Sequence, residues 1–206
     1  MSKYKSIIYD CDGVMFDSFE ANFAFYQKIM NYMGRGALDR KDSRLMEVLH
    51  TYSSQEVFAY LFSDTTLQSK ALSYAKSIDY LEFIPFMKME DELINTLETL
   101  KISMELAVCT NRAKSMLAVL ERFKLDKYFS LVMTSSKVEN PKPHPDSLLA
   151  ILDHYNIKPA EALFIGDADV DKRAAEAASV PFVSYKTNIS NFANINNHYE
   201  IIQLLE

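Results

Sequence analysis

The sequence predicts an α/β protein: a doubly wound, Rossmann-like parallel sheet carrying an inserted all-helical subdomain. Three observations lead there. From about residue 86 to the end, short apolar runs alternate with helix-length amphipathic segments, and strands alternating with helices build a parallel sheet covered on both faces. A lone apolar run, Ser6 to Tyr9, precedes that series and stops at Asp10-Cys11-Asp12-Gly13, as a buried strand entering a turn does. Between the two parts the sequence shows helical periodicity alone. The chain therefore divides into a core of residues 1–14 and 86–206 and a helical insert of residues 15–85.

Within the insert, Phe19, Phe23, Tyr26, Met30 and Met33 recur at helical spacing, with Ser18 placed to cap the helix and Gly34-Arg35-Gly36 to break it. Leu45, Val48 and Leu49 mark a second helix. Ser53 followed three residues later by Glu56 fits a capping box ahead of Val57, Phe58, Leu61 and Phe62. Leu67, Ala71, Tyr74, Ile78 and Leu81 mark a fourth helix, and Pro85 closes the block. In the core, helices near Asp91–Leu100, Ala113–Phe123, Pro145–Tyr155 and Val170–Ala178 each precede an apolar run: Met104–Cys109, Tyr128–Met133, Ala162–Ile165 and Val180–Tyr185. The asparagine-rich stretch from Asn188 to Asn197 reads as a loop before a last short helix.

The hydrophobic content of 49% and charged content of 24% are those of a soluble globular chain. A net charge of −6 and a pI near 5.3 argue against a broad nucleic-acid-binding face. No apolar run approaches a membrane span, and the stretch before Asp10 is too short for a signal peptide, so no membrane partner and a cytoplasmic location are expected. The two cysteines, Cys11 and Cys109, have neither zinc-site spacing nor a disulfide framework and read as buried, reduced thiols.

In an open parallel sheet, ligands bind beyond the carboxyl ends of the strands. The polar residues at those ends are Asp10 and Asp12 after the first strand, Thr110-Asn111 after the second, and Gly166-Asp167 with Asp169 and Asp171 after the fourth. Lys142 lies in Asn140-Pro141-Lys142-Pro143-His144-Pro145, between the third strand and the next helix. Such a set suits a phosphoryl group. A carboxylate at a rigid strand end can attack phosphorus, and a second can move the leaving group's proton. Hard oxygen donors suit magnesium, and a hydroxyl beside backbone amides at a helix start suits phosphate. A lysine adds positive charge where the transition state is most anionic. Phosphate-ester hydrolysis needs over ~20 kcal/mol of such help. Of the four glycines, Gly13 and Gly166 stand at the two acidic strand ends, where tight turns are expected.

These residues resemble the haloacid-dehalogenase-like hydrolase superfamily. Asp10-Cys11-Asp12-Gly13-Val14, Val108-Cys109-Thr110-Asn111, Lys142 with Pro143-His144-Pro145-Asp146, and Gly166-Asp167-Ala168-Asp169-Val170-Asp171 match its four motifs in order. The insert falls where one branch, with phosphoglycolate-phosphatase-like and beta-phosphoglucomutase-like members, carries a helical cap. The resemblance implies Asp10 as nucleophile and metal ligand. It implies Asp12 as general acid/base that also gives a backbone carbonyl to the metal. Thr110 and the Asn111 amide would hold phosphate, and Lys142 would stabilise the nucleophile and the transferring group. Asp167 would bind Mg2+, and Asp171 would support the metal's surroundings or orient Lys142. The dehalogenase members lack the second acid, so Asp12 favours phosphoryl transfer.

The expected activity is therefore a magnesium-dependent phosphatase for a small phosphorylated metabolite. The alternatives are a phosphomutase of the beta-phosphoglucomutase type and a non-catalytic binding or regulatory protein on the same fold. No Gly-x-x-x-x-Gly-Lys loop of a nucleotide kinase is present. Phe86 and Ser179 stand where related chains often carry glycine. His50-Thr51-Tyr52-Ser53 occupies the approximate place of a specificity loop but reads first as a turn between helices; Arg35, Arg40 and Arg44 could meet an anionic substrate but read first as solvated surface; His144 reads as a helix-start residue. The substrate and the oligomeric state are not readable from the sequence.

Overall fold

Six parallel strands form the central sheet: β1 (Ser6–Tyr9), β4 (Glu105–Thr110), β5 (Leu131–Thr134), β6 (Ala162–Gly166), β7 (Phe182–Tyr185) and β8 (Ala193–Ile195), in the order β5-β4-β1-β6-β7-β8. The computed structural model describes residues 3–113 and 115–205. Lys114, within the helix predicted from Ala113, lies outside the described residues. Two short strands, β2 (Phe16–Asp17) and β3 (Lys88–Met89), pair with each other. The chain forms two units, Met1–Asp17 with Met89–Glu206, and Ser18–Lys88.

In the first unit the middle strands are apolar because they are covered on both faces, as parallel strands are. Ile7, Ile8 and Tyr9 of β1, Ala107 to Cys109 of β4 and Ala162 to Ile165 of β6 are fully buried. The register sets Tyr9 beside Val108 on one side and Ile165 on the other, so the ends of β1, β4 and β6 come level. From β1 the chain builds outward through β4 and β5, then returns to lay β6, β7 and β8 on the other side. The reversal falls between β1 and β6, the crevice where such sheets bind ligands. Asp10 and Asp167, directly after those two strands, flank it.

Helices α5 (Leu93–Leu100), α6 (Ser115–Arg122), α7 (Asp146–Tyr155), α8 (Asp169–Ala178) and α9 (Tyr199–Leu205) complete this unit. Leu148, Ile151 and Leu152 of α7 and Ala174, Ala175 and Ala178 of α8 pack with Ile8, Cys109 and Phe164 in one apolar cluster. The alanines of α8 let its axis approach the sheet closely. At its end Ser179 adopts the left-handed conformation (φ 57°) that favours glycine.

The second unit contains α1 (Phe19–Tyr32), α2 (Ser43–Thr51), α3 (Ser54–Leu61) and α4 (Thr65–Ser77). Tyr26, Ile29, Val48, Leu49, Val57, Phe58 and Ala71 form its core. The capping box of Ser53 and Glu56 is present, with the Glu56 amide donating to Ser53 Oγ at 3.4 Å and the Ser53 amide to Glu56 Oε2 at 3.0 Å. Among the described residues no helix is long and apolar enough to cross a membrane.

Three local expectations are corrected, and one pair of strands is added. Ser18 occupies the N-cap of α1 but its hydroxyl does not close the cap. Leu81 lies beyond α4, in a 3-10 turn, Tyr80–Glu82, whose first amides are taken up by Asp79. The stretch from Asn188 to Asn197 is not all loop, because Ala193–Ile195 adds an edge strand beside β7. The short pair β2 and β3 was not foreseen, two residues being too few to show an alternating pattern.

Candidate active site

The strand ends bring the predicted residues together. Asp10 follows β1, and its backbone amide donates to Ile165 O of β6 at 2.9 Å, which ties the residue to the neighbouring strand. Lys142, 2% exposed, reaches in from the loop before α7. Its ammonium lies 2.8 Å from Asp10 Oδ1 and 2.5 Å from Asp171 Oδ1, and donates to Cys109 O at 3.0 Å. All three donors of the ammonium are thereby used on fixed acceptors. Asn111 holds the same loop from the other side, donating from Nδ2 to Lys142 O at 2.9 Å. Asp171, at the start of α8, accepts from the Ala168 amide at 3.1 Å. It therefore both orients the lysine and caps its own helix.

The carboxylates of Asp10, Asp167 and Asp171 offer oxygens that all lie within 4.8 Å of one another. Close packing makes room for this only because two side chains are missing. A Cβ on Gly13 would fall 2.1 Å from Asp167 Oδ2, and Gly13 has φ +76°. A Cβ on Gly166 would fall 2.5 Å from Asp171 Cβ. At Gly13 a turn does demand glycine, as expected. At Gly166 the reason differs: the demand is for close approach, not for a left-handed backbone.

Burial and mutual repulsion dominate the electrostatics of the cluster. Burial pushes Asp10 up to about 7 against the pull of Lys142, with the charges of Asp171 and Asp12 pushing further in the same direction. Burial, then the charges of Asp171 and Asp10, hold Asp167 well above the usual carboxylate range. Burial by itself would lower Lys142, but the carboxylates of Asp10 and Asp171 outweigh it and raise the ammonium above its ordinary value. Four carboxyl groups, at positions 10, 12, 167 and 171, face two cationic side chains, Lys142 and Arg112, an excess of acidic over basic groups. A hard divalent cation fits that excess, the oxygen donors and their spacing. The Asp12 carboxylate is outside the three-carboxylate cluster.

Thr110 is 2% exposed at the end of β4, and its Oγ1 accepts from the Arg112 amide at 3.1 Å. The residue that sequence reasoning missed is Arg112. Its guanidinium lies 2.5 Å from Asp12 Oδ1, with both side chains nearly buried. A basic residue directly after Thr110-Asn111 was the available signal, and alone it looks like any charged residue at a helix approach. Burial pushes the Cys11 thiol up, with the Asp12 charge adding to it, and burial raises Cys109 to about 12. Both are inert, protonated thiols at neutral pH.

In the helical unit, Arg40 forms a two-point pair with Glu20 and Arg44 pairs with Glu47, all at solvent, so both are surface residues as read. His50, at the end of α2, pairs with Asn22 (Nδ1 to Nδ2 3.2 Å), whose Oδ1 accepts from Tyr80 Oη at 3.1 Å. His144 precedes α7, as expected of a helix-start residue.

Comparison with known proteins agrees with the residues. Residues 7–185 match the family model described as haloacid dehalogenase-like hydrolase. A solved structure of a subfamily IA hydrolase from Geobacter sulfurreducens is 52% identical, with a TM-score of 0.79 over 100% of this chain and 98% of that one. A phosphoglycolate phosphatase from Escherichia coli K12 is 42% identical over 79 residues, a match that spans 38% of this chain and 31% of that enzyme. A beta-phosphoglucomutase structure from Clostridium difficile, 19% identical with a TM-score of 0.81 over 98% of this chain and 96% of that one, shares the fold. The order of strands, the four motifs and the extent of the match together establish that this chain belongs to the haloacid dehalogenase-like hydrolase family.

Proposed function

We propose that this protein is a magnesium-dependent phosphatase that hydrolyses a small phosphorylated metabolite through an aspartyl phosphate on Asp10. The observation that carries the reading is Lys142, buried between Asp10 and Asp171 instead of waving in solvent like an ordinary loop lysine. In this reading the sheet unit is the catalytic core and the helical insert its cap.

Asp10, Asp167 and the backbone carbonyl of Asp12 would hold the magnesium ion. When bound, the ion supplies the positive charge that lets a phosphate dianion enter an acidic site. Thr110 Oγ1 and the Asn111 amide bind the phosphoryl oxygens. A carboxylate oxygen of Asp10 forms a bond to phosphorus as the ester P–O bond breaks, and Asp12 gives a proton to the departing oxygen. Water then attacks the same phosphorus while Asp12 takes up its proton, which frees Asp10 and inorganic phosphate. Lys142 neutralises Asp10 at rest and the transferring group as the Asp10 charge is spent. Asp171 fixes the ammonium in that position.

The local likeness to phosphoglycolate phosphatase favours hydrolysis and makes 2-phosphoglycolate the first compound to assay. Phosphate release from a panel of phosphorylated metabolites tests the reading. At least one member should yield free phosphate, with activity lost to a chelator and restored by Mg2+. Isomer formation without net phosphate would move the assignment to a mutase, and inertness toward every compound would end it.

A further inference from the structure

Arg112 has no role in the reaction as set out above, yet it is built into the site. Its backbone is held at both ends: its amide donates to Thr110 Oγ1 at 3.1 Å, and its carbonyl accepts from the Ser135 amide at 3.1 Å. Its side chain is nearly buried, with NH2 2.5 Å from Asp12 Oδ1, and the guanidinium also bears on Cys11, the residue between the two acids.

The placement solves a problem the acid cluster creates. Three carboxylates, those of Asp10, Asp167 and Asp171, converge closely enough to share a cation, and that of Asp12 does not join them. Asp12 is only two residues from Asp10, on a turn that Gly13 brings against Asp167. A carboxylate on so short a tether, with nothing to hold it, would be drawn onto any divalent cation in the cluster. Once ligated through its side chain it could no longer exchange protons with a leaving group. A guanidinium is suited to prevent this, since it stays charged and its planar fork fixes a carboxylate in orientation as well as distance.

We infer that Arg112 is a positioning residue: it holds the Asp12 carboxylate out of the cation cluster and keeps it available for proton transfer. The inference rests on the phosphatase reading. Arg112 itself neither gains nor loses a proton; it acts through Asp12, whose proton exchange with the leaving oxygen and then with water is unchanged in balance.

A role exercised through the general acid has a signature that a merely structural role lacks, because it depends on the leaving group. An alkyl phosphate such as glycerol 2-phosphate needs its departing oxygen protonated, whereas the phenolate of p-nitrophenyl phosphate leaves largely without that help. For Arg112→Gln, the loss of kcat on the alkyl ester should exceed the loss on the aryl ester by about 10²-fold, within the range general acid catalysis supplies. In an Asp12→Asn background the added effect of Arg112→Gln on the alkyl ester should shrink to a few-fold, since the group it serves is gone. Arg112→Lys, which keeps the charge and loses the fork, should recover part of the alkyl-ester rate and tests the same point should the glutamine variant fold poorly. Equal losses on the two esters, or full additivity with Asp12→Asn, would overturn the inference. A wild-type protein that releases phosphate from neither ester would instead overturn the phosphatase reading, and this assignment with it.

Discussion

Lys142 concentrates the positive charge of the carboxylate cluster in one side chain. It is nearly inaccessible and has two carboxylates and a carbonyl as partners, so each of its neighbours depends on its charge. Replacing it by methionine keeps the stem's volume and removes that charge, which leaves Asp10 and Asp171 buried beside Asp167 without compensation. Removing one partner of a buried ion pair typically costs about 3–5 kcal/mol. Lys142→Met should therefore lower the denaturant midpoint by an amount equivalent to roughly that figure. A midpoint unchanged from wild type would mean the lysine contributes little to holding the carboxylates together. Lys142 was legible together with both carboxylate partners, since the resemblance already links it to Asp10 and Asp171. The third partner, the Cys109 carbonyl, was not, because it depends on how far the loop before α7 folds back over β4.

At the scale of elements, the sequence carried the strands well because each middle strand is a continuous apolar run with a polar residue at its end, the pattern that burial on both faces demands. The capping box at Ser53 was equally visible, since its chemistry is local. What stayed hidden was the edge. Ala193–Ile195 has few apolar residues to announce it and owes its conformation to backbone pairing with β7, a tertiary effect. Among the site residues, the acids and Thr110 declared themselves by position at strand ends, while Arg112 needed the fold to bring it to Asp12. The end of α8 offers a clean test of local chemistry. Ser179 is exposed and left-handed at φ 57°, a conformation that costs an L-residue about 1 kcal/mol and glycine almost nothing. Part of that gain is offset by glycine's freedom in the unfolded chain. Ser179→Gly should accordingly stabilise the protein by about 0.5 kcal/mol, read as a small rise in thermal midpoint. A fall would show that the serine makes a stabilising contact there.

At the scale of the whole molecule, the C-terminal segment is tied to the loop after β1 by His198. The ring is fully buried, lies 4.6 Å from that of Tyr185, and donates from Nε2 to Val14 O at 2.9 Å. Burial pushes its pKa down to about 4. In the unfolded chain an ordinary histidine titrates near 6.5. Between these values the unfolded state binds more protons than the folded one, so stability rises with pH across the window. The contribution of His198 is fully present above about 6.5 and is lost as pH falls toward 4, a change of about 3 kcal/mol. Wild type should therefore lose about that much more stability between pH 7 and pH 4 than His198→Phe does, measured by chemical denaturation at each pH. Parallel pH curves for the two proteins would show that the ring titrates alike in the folded and unfolded states.

The claim on which the functional account depends is that Asp10 carries the phosphoryl group. Quenching the enzyme during turnover of a phosphorylated substrate, reducing it with borohydride and sequencing the peptide around β1 by mass spectrometry tests this directly. The account predicts homoserine at position 10, the product of reducing an aspartyl phosphate, and none in Asp10→Asn or in enzyme quenched without substrate. Turnover that leaves position 10 unmodified while another residue is labelled, or that persists in Asp10→Asn, would contradict it.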